Sequence, residues 1–188
     1  PNVVTRRGIS FDNRARLRHV LRLAAEKGGW GTPLPDYGSG RRVGRGMACN
    51  VYHQRTVVAN LAEVSVGPAG DVKVHRIICA MDCGRPVNLS GIEAQIEGGT
   101  MWALSTLLGK EITFDAGRTM QKSFEEFPIL RMSEAPRVEA HVVASTLPPF
   151  GVGEQPVPAV SPAVFNAVFA ATGQRVRRIP LGTQLTGE

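Results

Sequence analysis

Apolar and polar positions along the chain change period several times, and each change marks an element. Leu17, Val20, Leu21 and Ala24 recur at three- and four-residue spacing, which places them on one face of a helix. Asp12 or Asn13 can cap that helix, and Gly28-Gly29 stops it after Lys27. Residues 1–11 read as an irregular lead-in. Residues 31–46, with Pro33, Pro35, Gly38, Gly40 and Gly44, read as a loop or linker. From Met47 the period falls to two. Residues 46–52, 57–66 and 72–81 read as strands, separated by a polar turn at His53-Gln54-Arg55 and a second turn at Gly67-Pro68-Ala69-Gly70-Asp71. The second and third of these strands should pair as an antiparallel hairpin.

Asp82-Cys83-Gly84 closes the third strand, with Asp82 read as a turn-former. Residues 88–90 then offer the cap of a helix over 91–108 whose inner side carries Ile92, Ile96, Leu104 and Leu107. Gly98-Gly99 within it costs about 1 kcal/mol per glycine relative to alanine, so the pair predicts close packing or the approach of a ligand. Residues 111–114 and 118–122 read as short strands around Asp115-Ala116-Gly117, and 138–144 as a further strand. A last helix is expected to be capped by Ser161, with Pro162 first in the helix. Val164, Phe165, Val168 and Phe169 form its apolar face and Gly173 ends it, before a basic tail. The sum is an α+β fold: an antiparallel, hairpin-rich sheet with packed helices. The expected division is a lead-in helix and Gly/Pro-rich linker over 1–45 and a main domain over 46–188.

Composition narrows the function classes. The 188 residues can bury a real core. The net charge of +6 comes from arginines scattered in ones and twos (Arg6-Arg7, Arg41-Arg42, Arg177-Arg178), which argues against specific nucleic-acid binding. Three cysteines, Cys49, Cys79 and Cys83, neither close a disulfide framework nor supply the thiolates of a cluster, and read as partly buried thiols. The four histidines lie far apart in sequence, so no metal-ligating side chains are expected. No segment approaches the roughly 20 apolar residues of a membrane span. Arg6-Arg7 lacks the apolar run of an export signal, and a start at Pro1 is what a fragment or processed piece would show. Trp30 reads as a packing anchor.

The candidate chemistry lies at residues 151–154. Gly151 and Gly153 flank Val152, so the backbone there can turn sharply or approach a ligand, and Glu154 follows at once. Burial of that carboxylate beside a largely apolar helix would raise it toward the range of a general base. From composition alone a solvated loop glutamate is the simpler reading, as a locally bonded glutamine is for Gln95. Glu125 and Glu126 are adjacent, point apart on any regular element, and make a poor acid/base pair. Glu97 reads as structural, a partner for an arginine.

The run G-V-G-E-Q-P-V-P-A-V-S-P-A-V-F-N-A-V-F-A-A-T-G-Q-R-V-R-R-I-P over 151–180 resembles the C-terminus of the molybdenum-binding subunit of the xanthine dehydrogenase and aldehyde oxidase family, of the bacterial isoquinoline 1-oxidoreductase and aldehyde dehydrogenase type. A-A-E-K-G-G-W-G over 24–31 resembles the end of a helix in the same family. So do Asp82-Cys83-Gly84, Val87-Asn88 and Ala94-Gln95-Ile96-Glu97-Gly98-Gly99, with Leu89 where proline is usual, a departure that implies a less rigid turn. Phe124-Glu125-Glu126-Phe127-Pro128 is similar to the segment leading into the family's active-site region. The resemblance implies that residues 46–188 are the C-terminal portion of a molybdopterin-binding domain, with Glu154 the catalytic base beside the molybdenum. Gln95 would reach the pterin, and Gly151, Val152 and Gly153 would line the cofactor. It further implies oxidative hydroxylation of an aldehyde or N-heteroaromatic substrate and a molybdenum–molybdopterin cofactor in its cytosine dinucleotide form. Electrons would leave through iron–sulfur clusters in a small [2Fe-2S] partner subunit. Cofactor and substrate pocket would be shared with the remainder of a large subunit several times longer than this chain, so the chain is not expected to turn over alone. Bacterial cytoplasm and periplasm are both compatible. The alternative is a non-catalytic fragment or split-subunit module that assembles with that remainder.

Overall fold

The computed structural model describes residues 3–6, 9–38, 40–109, 111–182 and 184–185. In chain order the strands are β1 (Val3–Arg6), β2 (Ile9–Asp12), β3 (Arg42–Tyr52), β4 (Thr56–Val66), β5 (Val72–Asp82), β6 (Phe114–Asp115), β7 (Arg118–Thr119) and β8 (Arg137–Val142). The helices are α1 (Asn13–Lys27), α2 (Leu89–Leu108) and α3 (Val160–Thr172), with a single 3-10 turn at Val157–Ala159 leading into α3.

The main sheet runs β3-β4-β5-β8. Its first three strands are antiparallel, joined by the two turns read from the sequence. β8 is parallel to β5, and a parallel pair needs a crossover, which α2 supplies.

All eleven residues of β4 are buried because the strand is covered on both faces. Val57, Ala59 and Leu61 meet Val20 and Ala24 of α1. The alternate positions Ala62, Val64 and Val66 meet Val160, Ala163, Val164, Ala167 and Val168 of α3 and Leu104 and Leu107 of α2. Period two along the strand thus delivers one apolar row to each layer. Gly44 and Gly46 of β3 lie directly on the Ala163–Ala167–Ala171 stripe of α3, where a Cβ on either glycine would overlap helix backbone. The Asp12 carboxylate caps α1 by accepting from the Ala15 amide at 3.0 Å, and Asn88 caps α2 by accepting from Gly91 at 3.0 Å.

Several expectations change. Residues 3–6 and 9–12 pair as a small hairpin rather than an irregular lead-in, since two four-residue runs are too short for periodicity to show. α3 begins one residue before Ser161, because the 3-10 turn runs straight into it. Ala159 stands at the cap, and Pro162 falls in the first turn, where its missing N–H is still harmless. The buried stripe of α3 is Val160, Ala163, Val164, Ala167 and Val168, while Phe169 is 39% exposed and lies under the Arg175 guanidinium at 3.6 Å. Trp30 is half exposed rather than an anchor, because the turns after Gly28 carry it out over Leu17, Leu21 and Met47. The strands expected at 111–122 shrink to the two-residue pair β6–β7 around Ala116 and Gly117, both with positive φ. Gly173 ends α3 in the left-handed conformation, as its sequence position requires.

Candidate active site

The loop at 150–156 is held at its upstream end by main-chain bonds and from below by side chains. Upstream, the Arg85 amide donates to Leu147 at 2.9 Å and the Phe150 amide to Cys83 at 2.8 Å, so the segment is stitched to the exit of β5. Gly84, at φ 75°, packs so closely on Pro148 that a side chain would not fit. From the sheet, the Thr56 hydroxyl donates to the Gly151 carbonyl at 2.8 Å and the Asn60 amide to the Pro156 carbonyl at 2.9 Å. The Asn50 amide reaches the Gln155 carbonyl at 3.4 Å. Within the loop the Glu154 amide donates to the Gln155 side chain at 3.0 Å.

These contacts sort the loop into an inner and an outer side. Gln155 and Pro156 are buried, and Val152 packs against Val58, Met81, Ile92 and Ile96. Gly151, Gly153 and Glu154 face outward. The expected burial of the Glu154 carboxylate is therefore absent within this chain: Val152 alone of the four residues turns into the core. The Glu154 Oε1 accepts a hydrogen bond from the Tyr52 hydroxyl. That bond raises the Tyr52 phenol above its ordinary value, helped by desolvation and the Glu154 charge, because deprotonation would set two negative oxygens side by side. Tyr52, His53, Arg55, Thr56, Gly151 and Gln155 line a small pocket of about 240 Å³ beside the loop. A wider cleft of about 520 Å³ lies elsewhere, between the end of α2 and residues 128–134, and holds none of the candidate residues.

The loop meets α2, the helix that bears Gln95, at Gly99. Gly99, one turn after Gln95, would place a Cβ 3.3 Å from Pro156 and 3.1 Å from Val157, so the helix rests on the segment that follows Glu154. Close packing explains that glycine. Gly98 instead faces open space, as does Gly153. Gln95 is exposed, and its amide has no partner among the described residues. Glu97 is also exposed, without the expected arginine partner among those residues. Asp82 is the turn-former expected, accepting from the Gly84 amide at 3.0 Å, and it is also buried in an ion pair with Arg16 at 2.7 Å. Cys79 and Cys83 are buried and Cys49 is exposed; burial pushes the Cys79 thiol up to about 12. Among the described residues no group of three or more His, Cys, Asp or Glu side chains is placed to hold a metal ion, and no helix is long and apolar enough to cross a membrane.

Sequence reasoning missed Asn50, Tyr52, Thr56 and Asn60. The available signal was polar side chains at alternate positions in otherwise apolar strands. Asn60 is fully buried, and its Oδ1, like that of Asn50, has no partner among the described residues. An unpartnered buried polar atom costs about 1–3 kcal/mol, so these amides are not there for stability alone.

The family model for the molybdopterin cofactor-binding domain matches residues 24–136, more than half of the chain. The chain belongs to that family. Gln95 falls within the matched span and Glu154 beyond it. Over 86% of its length the chain is 31% identical to the isoquinoline 1-oxidoreductase subunit beta of Brevundimonas diminuta, of which it covers 20%. Over 92% it is 30% identical to a membrane-bound aldehyde dehydrogenase (pyrroloquinoline-quinone) of Gluconacetobacter polyoxogenes, of which it covers 22%. The family member thus spans about a fifth of the length of these relatives. Its fold is similar to that of the CO dehydrogenase from Oligotropha carboxidovorans, with a TM-score of 0.60 and 25% identity over 70% of this chain and 18% of that one. It is also similar to the aldehyde oxidoreductase from Desulfovibrio desulfuricans, with a TM-score of 0.55 and 26% identity over 66% of this chain and 14% of that one. These molybdopterin-domain likenesses agree with the α+β sheet-and-helix architecture.

Proposed function

We propose that this chain supplies the catalytic-base side of a molybdenum hydroxylase acting on an aldehyde or N-heteroaromatic substrate. The observation that carries the reading is the outward-facing Glu154 carboxylate on a loop fixed against the helix that bears Gln95.

The residues present fit one edge of a molybdopterin. The exposed Gln95 amide, without a partner among the described residues, offers N–H donors and a carbonyl acceptor to a pterin edge. Gly98 and Gly153 leave space where side chains would block approach. The chemistry such a cofactor supplies when bound is oxygen insertion coupled to acceptance of two electrons. Glu154 takes the proton released as oxygen is added to the electron-poor carbon. Its Oε1 is engaged by Tyr52, which directs Oε2 to that task. The Gly151–Gly153 backbone, with Val152 anchored in the core, holds the cofactor-facing side of the loop. Further contacts to the cofactor, in its cytosine dinucleotide form, come from the remainder of the large subunit, without which the chain does not turn over. Electrons leave to iron–sulfur clusters in a small [2Fe-2S] partner. The names of the relatives support the substrate classes.

General-base assistance of this kind is worth about 10²–10⁴-fold. In the molybdenum-loaded enzyme, Glu154→Gln should lower kcat by that range with metal and pterin content unchanged. Near-normal turnover of the variant would reject the base assignment.

A further inference from the structure

We propose that Asn50, Tyr52, Thr56 and Asn60 form a positioning clamp that sets where the Glu154 carboxylate points. This rests on the reading of Glu154 as the base and names the residues that make it effective.

The four side chains share one sheet face by register. Tyr52 pairs with Thr56, Asn50 with Val58, and Asn60 lies two residues further along the same side of β4. On that face the rows beyond Asn60 turn apolar (Ala62, Val64, Val66) and pack on α3. The polar end is reserved for the loop. Each clamp residue donates to a different point on it: Thr56 to the Gly151 carbonyl, three residues before Glu154, and Asn50 and Asn60 to the Gln155 and Pro156 carbonyls just after it. Tyr52 donates to the carboxylate itself. Glu154 is thus the one outward acidic side chain in a segment whose flanking carbonyls are tied to two strands.

Two features separate this arrangement from ordinary core packing. Thr56 and Asn60 are 1% and 0% exposed in a strand whose other same-face positions are aliphatic, so an apolar residue would satisfy the core. The Oδ1 atoms of Asn50 and Asn60 are buried with no partner among the described residues, an arrangement that packing for stability disfavours. What the amides gain in return is their hold on the loop. Between two glycines a backbone has wide freedom, and a general base needs a fixed one, since small misplacements cost rate steeply.

The test combines amide hydrogen exchange with kinetics in the molybdenum-loaded enzyme, using Thr56→Val, Thr56→Ser, Asn60→Leu and Tyr52→Phe. Loss of one anchoring hydrogen bond should speed exchange in the 150–157 peptide by about tenfold in Thr56→Val and Asn60→Leu, leaving the β4–β5 ladder unchanged. With the aldehyde or N-heterocycle that the wild-type enzyme oxidises, kcat should fall about tenfold in the same two variants while KM holds, and Thr56→Ser should restore both readouts. Tyr52→Phe should leave loop exchange unchanged but lower kcat with KM held, because only the bond to the carboxylate is lost. Unchanged loop exchange in Thr56→Val and Asn60→Leu overturns the clamp. So does a parallel rise in loop and ladder exchange, which marks a merely structural role. Full turnover by Glu154→Gln removes the base and the clamp's purpose together, whereas a silent Glu154→Gln beside unperturbed clamp variants rejects the clamp alone.

Discussion

Arg16 shows what a single side chain does beside the site. Its guanidinium donates to the Asp82 carboxylate at 2.7 Å, the Asp82 carbonyl at 3.0 Å, the Asn13 side chain at 3.0 Å and the Arg55 carbonyl at 2.5 Å. It joins α1 to the end of β5 and to the β3–β4 turn, and both members of the pair are nearly dry, at 10% and 7% side-chain exposure. Arg16→Met keeps the stem but leaves the Asp82 charge buried and unpaired, which costs about 3–5 kcal/mol. Urea denaturation should show that loss, and a change under 1 kcal/mol would mean that Asp82 finds water on losing its partner. The turn-forming half of Asp82 was legible in Asp82-Cys83-Gly84, because it is local. The ion pair spans 66 residues and leaves no local trace. Glu154 and Gln95 were singled out by the resemblance of their motifs to the family's, whereas the exposure of the carboxylate depends on which loop residue the core admits. It admits Val152.

At the level of elements, the sheet was readable where one face or both are apolar and the turns are rich in glycine and proline. β3, β4 and β5 fall within four residues of their expected ends. The parallel placement of β8 was not readable, since alternation reports that a strand exists and says nothing of its neighbour. The start of α3 was misread because capping logic favoured Ser161, while the tertiary course of Val157–Ala159 launches the helix earlier. β3 and α3 meet at close range, where Gly44 and Gly46 admit the helix backbone. A methyl group at Gly46 would overlap the Ala163 carbonyl and the Ala167 amide, and neither can yield as a flexible side chain could. Gly46→Ala should therefore destabilise by at least the 1–3 kcal/mol that is roughly typical of overpacking. Because α3 follows directly from the 3-10 turn after Glu154, the same variant should also loosen the loop. A thermal shift within 1 °C of wild type would show that α3 can lift from the sheet at little cost, which the packing forbids.

Across the whole molecule, the face of the sheet that carries α1 bears a charge ladder crossing all four strands. Arg45 of β3 pairs with Glu63 of β4 at 2.7 Å, Glu63 lies 3.6 Å from Arg76 of β5, and Arg76 binds Glu139 of β8 at 2.6 Å. Arg137 and His141 also flank Glu139, at 3.1 Å and 3.9 Å. The hydrogen bond from Arg76 holds the Glu139 carboxyl below its ordinary value, against the opposing effect of its partial burial. His75 stacks on the Tyr37 ring and bonds Ser65, and its pKa is lowered first by desolvation and then by Lys73 and Arg41. His141 is lowered first by desolvation and then by Lys27, with Glu139 opposing. All three groups therefore bind protons more tightly unfolded than folded, so each contributes stability that is present at high pH and lost on acidification. The sign is the same but the windows differ. The histidine contributions are complete above their unfolded value of about 6.5 and drain below it, whereas that of Glu139 is complete above about 4.3 and drains as the pH falls through its lower folded value. The urea midpoint should thus decline in two stages, one beginning near pH 6.5 and a second below about pH 4.3. His75→Gln should shrink the first stage and leave the second in place. Glu139→Gln should do the reverse, at the cost of leaving Arg76 without its closest carboxylate. A midpoint that stays flat from about pH 7.5 down to 5 would mean that both histidines accept protons in the folded sheet without penalty, against the desolvation that sets their direction.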